Sequence, residues 1–336
     1  MKKLLIMTML LGYYPVFGQN DVSFNSYINI LNNEIYEQNI MFSPYSIKKV
    51  FDIYNLENGK EKISCNINNE CLQEYNGAWF QENKKNIKID YLNIAKELNV
   101  DFYFVDFMKE PENCANLISE NINSAMNNEL EIEFDKSLIN KSTEKVFVNT
   151  LIFEDNWLNG FVKHLTKPNT FYGKISNNDD VDFMTCKGNF LFSEDDSNIM
   201  IVLPYKVSKF EMVVIMPKNG NSNICFEDAK KLYHNLEDYS VDLLFPKFEI
   251  NSKCNLNEIA KNFGLEINTQ TTKSVQNIKL SINEIGTKAQ SVSSIVIYRS
   301  VSFNKSENII INKPFFFFIH DRLKYEIIFA GKINQL

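Results

Sequence analysis

Hydrophobic residues recur at helical spacing in the first part of the chain. Apolar positions three or four residues apart predict amphipathic helices. Ser43-Pro44 is a typical helix start, because proline fits the first turn and serine caps it. Gly264 supplies a C-terminal cap for a later helix. The predicted helices cover 21–36, 44–54, 91–98, 114–126 and 257–263.

Continuous apolar runs rich in β-branched and aromatic residues dominate the later part of the chain. They predict strands, and the run 145–153 has the unbroken apolar character of a buried central strand. Helices early and strands later indicate an α+β domain with large, mostly antiparallel sheets. No linker, repeat or low-complexity run divides the chain. The predicted strands cover 39–42, 102–105, 145–153, 198–203, 211–216, 241–250, 279–284 and 309–332.

Composition excludes several function classes. The chain has 336 residues, 44% of them hydrophobic, and a formal net charge of −7. This acidic balance argues against a nucleic-acid binder, which needs a dense basic face. The three histidines lack ligand spacing, so we expect no metal site and no cofactor.

The N-terminus has the pattern of a signal peptide. Two lysines precede a short apolar run, and Val16-Phe17-Gly18 supplies the small residues of a cleavage site. We therefore expect residues 1–18 to be removed and the mature chain, 19–336, to be secreted. The apolar run is too short to span a bilayer.

Secretion would permit disulfides and glycans. Six cysteines are present, and Cys65 and Cys71 are close enough in sequence for a small loop, although connectivity stays open. Asn140 and Asn304 each begin a glycosylation sequon.

The segment 284–331 carries the most information about function. A run of small residues is followed by a single arginine, Arg299, and then by two hydrophobic stretches at 315–319 and 327–331. Further anchors precede this segment in a fixed order. They are 39–46, 147–153 with Trp157, 201–206, 211–217 and 244–248. The ordered set resembles the serpin family, whose members inhibit serine proteases through an exposed reactive loop.

The resemblance implies a fold. We expect a serpin fold in the single domain 19–336, with a large central mostly antiparallel sheet, further β-sheets, peripheral helices and a reactive loop at about 286–308. Some helices are shortened. Too little sequence separates Tyr54 from Gly77 for the helix that binds heparin in some members, and a second peripheral segment before Lys273 is short. These features resemble secreted poxvirus serpins, which predicts a viral protein acting on its host.

By the same resemblance, a polar cluster beneath the central sheet lies where its strands part. Gln276 stands where the family usually has histidine, and its amide still donates and accepts hydrogen bonds. The cluster comprises Ser43, Ser46, Asn149, Gln276 and Trp157.

A serpin loop must insert into the sheet after cleavage, so its alternate residues must be small on the inward face. The inward set here is small and uncharged, which favours an inhibitor. Lys288, where the family usually has glutamate, falls on the tolerant outward face. The hinge and inward residues are Glu284, Gly286, Thr287, Ala289, Ser291 and Ser293.

Arg299–Ser300 is the predicted scissile bond. A trypsin-like protease holds a basic side chain through an aspartate in its specificity pocket. The spacing from Gly286 is one residue short of the family's usual value, which leaves Ser300–Val301 as the alternative. The protease serine would form an acyl-enzyme with the loop, and loop insertion would then distort the protease before hydrolysis. The expected partner is a host trypsin-like protease, bound covalently by a monomer.

Two other function classes compete with a protease inhibitor. An enzyme is disfavoured, because no Gly-x-Ser-x-Gly elbow, His-Glu-x-x-His motif or phosphate loop occurs. A non-inhibitory serpin-fold protein that engages a host or cell-surface partner remains the alternative. The inhibitor and the non-inhibitory protein differ in whether the loop forms a covalent complex with the protease that cuts it.

Overall fold

The strand-forming runs assemble into two sheets, and the helices lie around them. A computed structural model describes residues 21–33, 39–56, 71–82, 93, 96–129, 131–206, 209–220, 223–262, 268–287, 306–324 and 326–336. In chain order the elements are α1 (Asp21–Leu31), β1 (Ile40–Phe42), α2 (Pro44–Leu56), β2 (Leu72–Gln81), β3 (Asp101–Val105), α3 (Pro111–Ala125), β4 (Lys145–Phe153), β5 (Asp155–Asn156), β6 (Lys167–Tyr172), β7 (Asn177–Glu194), β8 (Asn198–Pro204), β9 (Phe210–Pro217), α4 (Phe226–His234), β10 (Glu237–Pro246), β11 (Phe248–Asn255), α5 (Leu256–Lys261), β12 (Thr272–Ile282), β13 (Gly286–Thr287), β14 (Ser306–Ile310), β15 (Phe315–Asp321) and β16 (Glu326–Ile333).

The smaller sheet, which we call the main sheet, carries the predicted central strand. Its seven strands have the order β3-β2-β4-β12-β13-β5, and β11 pairs with the free side of β12. Strands β4 and β12 are parallel neighbours, paired from Thr272 opposite Lys145 to Lys279 opposite Ile152. Strands β2 and β3 are also parallel, and the remaining pairs are antiparallel.

The second sheet has nine strands, in the order β1-β16-β15-β9-β8-β7-β10-β14 with β6 paired to β7. Its pairs are antiparallel except for β10 and β14. The prediction of an α+β fold with large, mostly antiparallel sheets is confirmed. The predicted central position of 145–153 is also confirmed.

The two faces of β4 pack against different layers, as the two-residue period requires. Leu151 and Phe153 point into the core between the sheets, and Phe147 points into the neighbouring cluster that includes residues of α1 and α2. Val146 and Val148 point outward into the cluster that α3 covers. Burial on both faces explains the unbroken apolar run. Each buried phenylalanine stabilises the fold by about 1.5–3 kcal/mol.

Several elements differ from the sequence prediction. Strand β2 was missed because Glu74, Asn76 and Gly77 interrupt its hydrophobic pattern, and β6, β7 and α4 were also missed. Strand β12 begins seven residues earlier than predicted, since Gln276 and its polar neighbours obscure it. The predicted loop range 286–308 contains strand residues at both ends, in β13 and β14. Half of the segment 91–98, predicted to be a helix, lies outside the described residues, as does the predicted signal peptide.

The structure also bears on membranes and thiols. No helix among the described residues is long and apolar enough to cross a membrane. Cys114, Cys186, Cys225 and Cys254 are free thiols. Cys65 lies outside the described residues, so the predicted Cys65–Cys71 loop stays a prediction.

Gly331 tests the packing between the two C-terminal strands. A Cβ atom there would lie 2.3 Å from the Phe317 ring and 3.1 Å from the Ile40 carbonyl oxygen. We expect Gly331→Ala to destabilise the native state by about 1–3 kcal/mol through overpacking. A thermal unfolding midpoint within one degree of the wild type would contradict this. Gly188→Ala is the matched strand control, because its nearest neighbour at 3.2 Å is the Asn159 side-chain amide.

Candidate functional site

Three amide side chains form a row across the centre of the main sheet. Asn76 on β2, Asn149 on β4 and Gln276 on β12 lie opposite one another in register. Asn149 Nδ2 donates to Asn76 Oδ1 at 2.8 Å, and Gln276 Nε2 lies 3.5 Å from Asn149 Oδ1. All three are buried. The link from Asn149 to Gln276 is the long one, and it spans the boundary between the parallel strands β4 and β12.

The start of α2 reaches this row from below. The backbone N–H of Ser43 donates to Gln276 Oε1 at 2.7 Å, and Gln276 Nε2 donates to the Ser43 carbonyl at 3.4 Å. Ser43 Oγ accepts from the backbone N–H of Ser46 at 3.2 Å, as an N-cap residue does. The Ser46 hydroxyl is buried and has no hydrogen-bond partner among the described residues. The Gln276 amide therefore makes hydrogen bonds to the backbone of Ser43 through both its oxygen and its nitrogen.

An ion pair lies beside the row. Lys49 Nζ on α2 binds Glu74 Oε2 on β2, and Lys49 is only 3% exposed. Tyr45, one helical turn earlier, donates its hydroxyl to the same Glu74 oxygen at 3.3 Å. The other oxygen of Glu74 accepts from Asn149 Nδ2 at 3.2 Å.

Trp157 lies at the end of β12 rather than in the amide row. Its indole Nε1 donates to the Asn283 carbonyl at 3.0 Å, and its backbone N–H donates to the Ile285 carbonyl at 2.8 Å. The ring stacks on Tyr205 with a centroid distance of 4.5 Å. Trp157 thus holds the turn that follows β12, which we call the hinge (283–287).

Glu284 anchors the hinge to the rest of the molecule. Its carboxylate accepts from Thr166 Oγ1 at 2.9 Å and lies 3.4 Å from Lys247 Nζ. Burial opposes ionisation of this carboxyl. Hydrogen bonds from its own backbone N–H, from Thr166 and from Lys247 outweigh burial and lower its pKa below the ordinary 4.5.

The last two hinge residues already form a strand. Thr287 pairs with Ile282 of β12 on one side and with Asp155 of β5 on the other. Gly286 lies so close to β5 that a Cβ atom would be 2.1 Å from the Asp155 carbonyl oxygen, so only glycine fits. Strand β13 therefore occupies the space between β12 and the continuation of β4.

Thr287 points inward. It is fully buried, and its Oγ1 is 2.7 Å from the Tyr205 hydroxyl. Burial raises the pKa of Tyr205 well above its ordinary value, so this hydroxyl stays protonated. The role of Thr287 in loop insertion stays a prediction.

The other predicted loop residues fall outside the described part of the chain. These are Ala289, Ser291, Ser293, Arg299, Ser300 and Asn304. Their assigned roles stay predictions. Asn140 is described: it is exposed, and its Oδ1 accepts from the Ser142 backbone N–H at 2.8 Å.

Sequence reasoning missed three members of the site, Asn76, Glu74 and Lys49. A signal for Lys49 existed, because it lies three residues after Ser46 and four after Tyr45, on the buried face of a helix. Glu74 and Asn76 lie on one face of a strand that was not predicted. A lysine on an apolar helix face requires a buried partner of opposite charge, and the sequence alone does not identify the acidic residue that pairs with it.

Comparison with known proteins identifies the family. The model of the family described as "Serpin (serine protease inhibitor)" matches residues 55–336. The chain belongs to the serpin family. An uncharacterized serpin-like protein of Methanosarcina mazei is 25% identical over 96% of this chain and 88% of its own length.

Solved structures show the same serpin fold. Serpin48 of the insect Tenebrio molitor superposes with a TM-score of 0.77 at 20% identity, over 97% of this chain and 99% of the other. Human thyroxine-binding globulin superposes with a TM-score of 0.78 at 19% identity, over 95% and 99%. These relatives are archaeal, insect and human, and they give the expected poxvirus resemblance no support.

The Glu284 anchor predicts a pH dependence. A carboxyl whose pKa is lowered on folding stabilises the native serpin above its unfolded pKa, and this stabilisation is lost as the pH falls through the folded pKa. We expect Glu284→Gln to lower stability by about 1–3 kcal/mol at pH 7. The deficit in thermal midpoint should shrink below pH 4.5. The exposed Glu307→Gln is the control, and a deficit independent of pH would contradict the assignment.

Proposed function

We propose that this serpin is a secreted suicide inhibitor of trypsin-like serine proteases, cleaved between Arg299 and Ser300. The observation that carries the proposal is β13. Its two residues, Gly286 and Thr287, pair with β12 on one side and β5 on the other. An inserting strand would begin at these two residues, and its continuation would run along the boundary between β4 and β12.

The register of β13 gives the length that insertion would need. A strand that continued from Thr287 would be antiparallel to both β4 and β12. Each further residue of it would therefore pair with the preceding residue of each of these strands. Ser293 would then lie between Asn149 and Gln276. Ile297 would lie opposite Lys145 and Thr272, the first residues of the two strands. The segment up to Ile297 therefore fills the sheet, and Arg299 would lie just past its far end.

The same register explains the side-chain pattern. Thr287 and Asn149 face the core, so Ala289, Ser291 and Ser293 would face it too, next to buried groups such as Leu151. Small side chains at these positions avoid displacing the core. Ser293 would give the parted amides of the row a new hydrogen-bond partner.

Lys288 also finds a partner in this register. It would lie opposite Glu154, the residue between β4 and β5. Burial raises the pKa of Glu154. An ammonium group beside it would favour the carboxylate, so lysine in place of the family's usual glutamate is compatible with insertion.

The chemistry belongs to the protease. Its serine oxygen attacks the Arg299 carbonyl carbon, the bond to the Ser300 nitrogen breaks, and that nitrogen leaves as an amine carrying the proton from the protease histidine. The Arg299 ester then joins the two proteins. Insertion of the freed loop before water attacks the ester would trap the complex, and the serpin itself supplies no catalytic group.

Secretion and glycosylation are part of the proposal. The signal-peptide pattern at 1–18 supports export, and the exposed Asn140 side chain supports a glycan at that sequon. The second candidate function is a serpin-fold binding protein that inhibits nothing. The similarity to a thyroxine-binding globulin favours keeping it as the alternative.

The proposal is tested by mixing the secreted protein with a panel of trypsin-like proteases on denaturing gels. We expect a covalent band at the combined mass, absent for Arg299→Ala. Mass spectrometry of the released C-terminal peptide separates cleavage after Arg299 from cleavage after Ser300. Cleavage without a covalent band, and without a rise in thermal midpoint after cutting, would favour the binding protein.

Thr287→Arg separates cleavage from insertion. The Thr287 side chain is fully buried in β13 against Tyr205, so an arginine there would withdraw this residue from the sheet and remove the start of the inserting strand. We expect this variant to be cut normally and to lose at least about tenfold in covalent complex, because hydrolysis then outruns insertion. Thr287→Ser is the matched control and should retain the complex. An equal yield from Thr287→Arg would show that insertion does not begin at β13.

A further inference from the structure

Parting β4 from β12 divides the molecule into two bodies, and α2 belongs to one of them. β1 leads directly into α2 and pairs with β16 of the second sheet. Lys48 on α2 lies 3.3 Å from Glu326 on β16. The helix is therefore fixed to the second sheet.

Strands β11 and β12 belong to the same body as α2. Ser252 and Cys254 on β11 donate to the Met41 carbonyl of β1 at 2.5 and 3.1 Å. Gln276 on β12 bonds the backbone of Ser43 in both directions. A strand entering the boundary between β4 and β12, which we call the seam, must therefore displace β2, β3 and β4 relative to α2.

The Lys49–Glu74 ion pair crosses this division. Lys49 lies on α2 and Glu74 on β2, and their side chains are 4% and 11% exposed. Tyr45 on α2 also bonds Glu74, and the Lys49 ammonium lies 4.8 Å from the Tyr45 ring centroid. Charge-assisted hydrogen bonds are roughly twice as strong as neutral ones. This contact resists displacement more than the 3.5 Å amide contact from Asn149 to Gln276 does.

We propose that the buried Lys49–Glu74 pair is a latch on the main sheet: a positioning pair that holds β2 and β4 against α2 and sets how fast the sheet admits a strand. This inference rests on the proposed function, since the latch governs the insertion step. The pair acts through Asn149, which Glu74 holds in the amide row.

The latch is tested without a protease. A synthetic peptide of residues 288–299, which begins where β13 ends, is added to the intact protein, and its incorporation is followed by native electrophoresis and by the rise in thermal midpoint. K49M/E74Q removes both charges; its glutamine keeps one acceptor oxygen for Asn149 Nδ2, and its amide nitrogen can donate to the Tyr45 hydroxyl. We expect incorporation about tenfold faster than in the wild type, as when one charge-assisted hydrogen bond need no longer break in the transition state.

The control is K209M/D321N, which removes another ion pair, one with a fully buried carboxylate. Lys209 Nζ lies 2.5 Å from Asp321, both within the second sheet and its loops, away from the division. We expect a lower thermal midpoint and an unchanged incorporation rate. If K49M/E74Q incorporates peptide at the wild-type rate, or if the control accelerates equally, the latch is wrong.

A milder variant tests the same contact if K49M/E74Q does not fold. Tyr45→Phe removes one hydrogen bond to Glu74 and keeps every charge, and we expect a smaller acceleration in the same direction. An unchanged rate in a folded Tyr45→Phe together with an unfolded K49M/E74Q overturns the latch. Faster peptide incorporation in a protein that never forms a protease complex would uphold the latch and reject the proposed function.

Discussion

The parallel pairing of β4 with β12 is the constraint on which the rest of the structure depends. One ladder of backbone hydrogen bonds joins these strands, and each bond contributes only about 0.5–1.5 kcal/mol net. A strand admitted between them would replace one ladder with two. The closed sheet thus has fewer backbone hydrogen bonds at this boundary than the sheet with an inserted strand would have. Barriers to opening, rather than depth of the energy minimum, must keep it closed.

Those barriers are distributed along the seam. At one end the hinge is fixed by Trp157 and Glu284, which bind the turn after β12 to the second sheet and its loops. In the middle the amide row and the Lys49–Glu74 pair connect three strands to one helix. Charge, hydrogen bonding and burial therefore reinforce the seam at separate points, and no single contact holds it closed.

Much of this fold could be predicted from the sequence, and the failures have a common physical cause. The strand 145–153 and the helix after Ser43-Pro44 carry strong local signals, and both were correct. Strand β2 and the first half of β12 carry polar residues inward, so their hydrophobic pattern is broken where the amide row forms. The polar residues of the amide row interrupt the hydrophobic pattern of their strands, and their hydrogen-bond partners are distant in sequence. Ser43, Asn149 and Gln276 were found only through family resemblance, and Glu74 was not found.

Gln276 gives the seam a property that a histidine would not. Imidazole changes charge between about pH 5 and 8, whereas amides and hydroxyls do not. The hydrogen bonds from Gln276 to Ser43 and Asn149 carry no proton that titrates in this interval. The readiness of the sheet to part should therefore be the same in neutral fluid and in a mildly acidic compartment such as the endosomal lumen. Residue 276 therefore gives the opening of the sheet no dependence on the pH of the compartment.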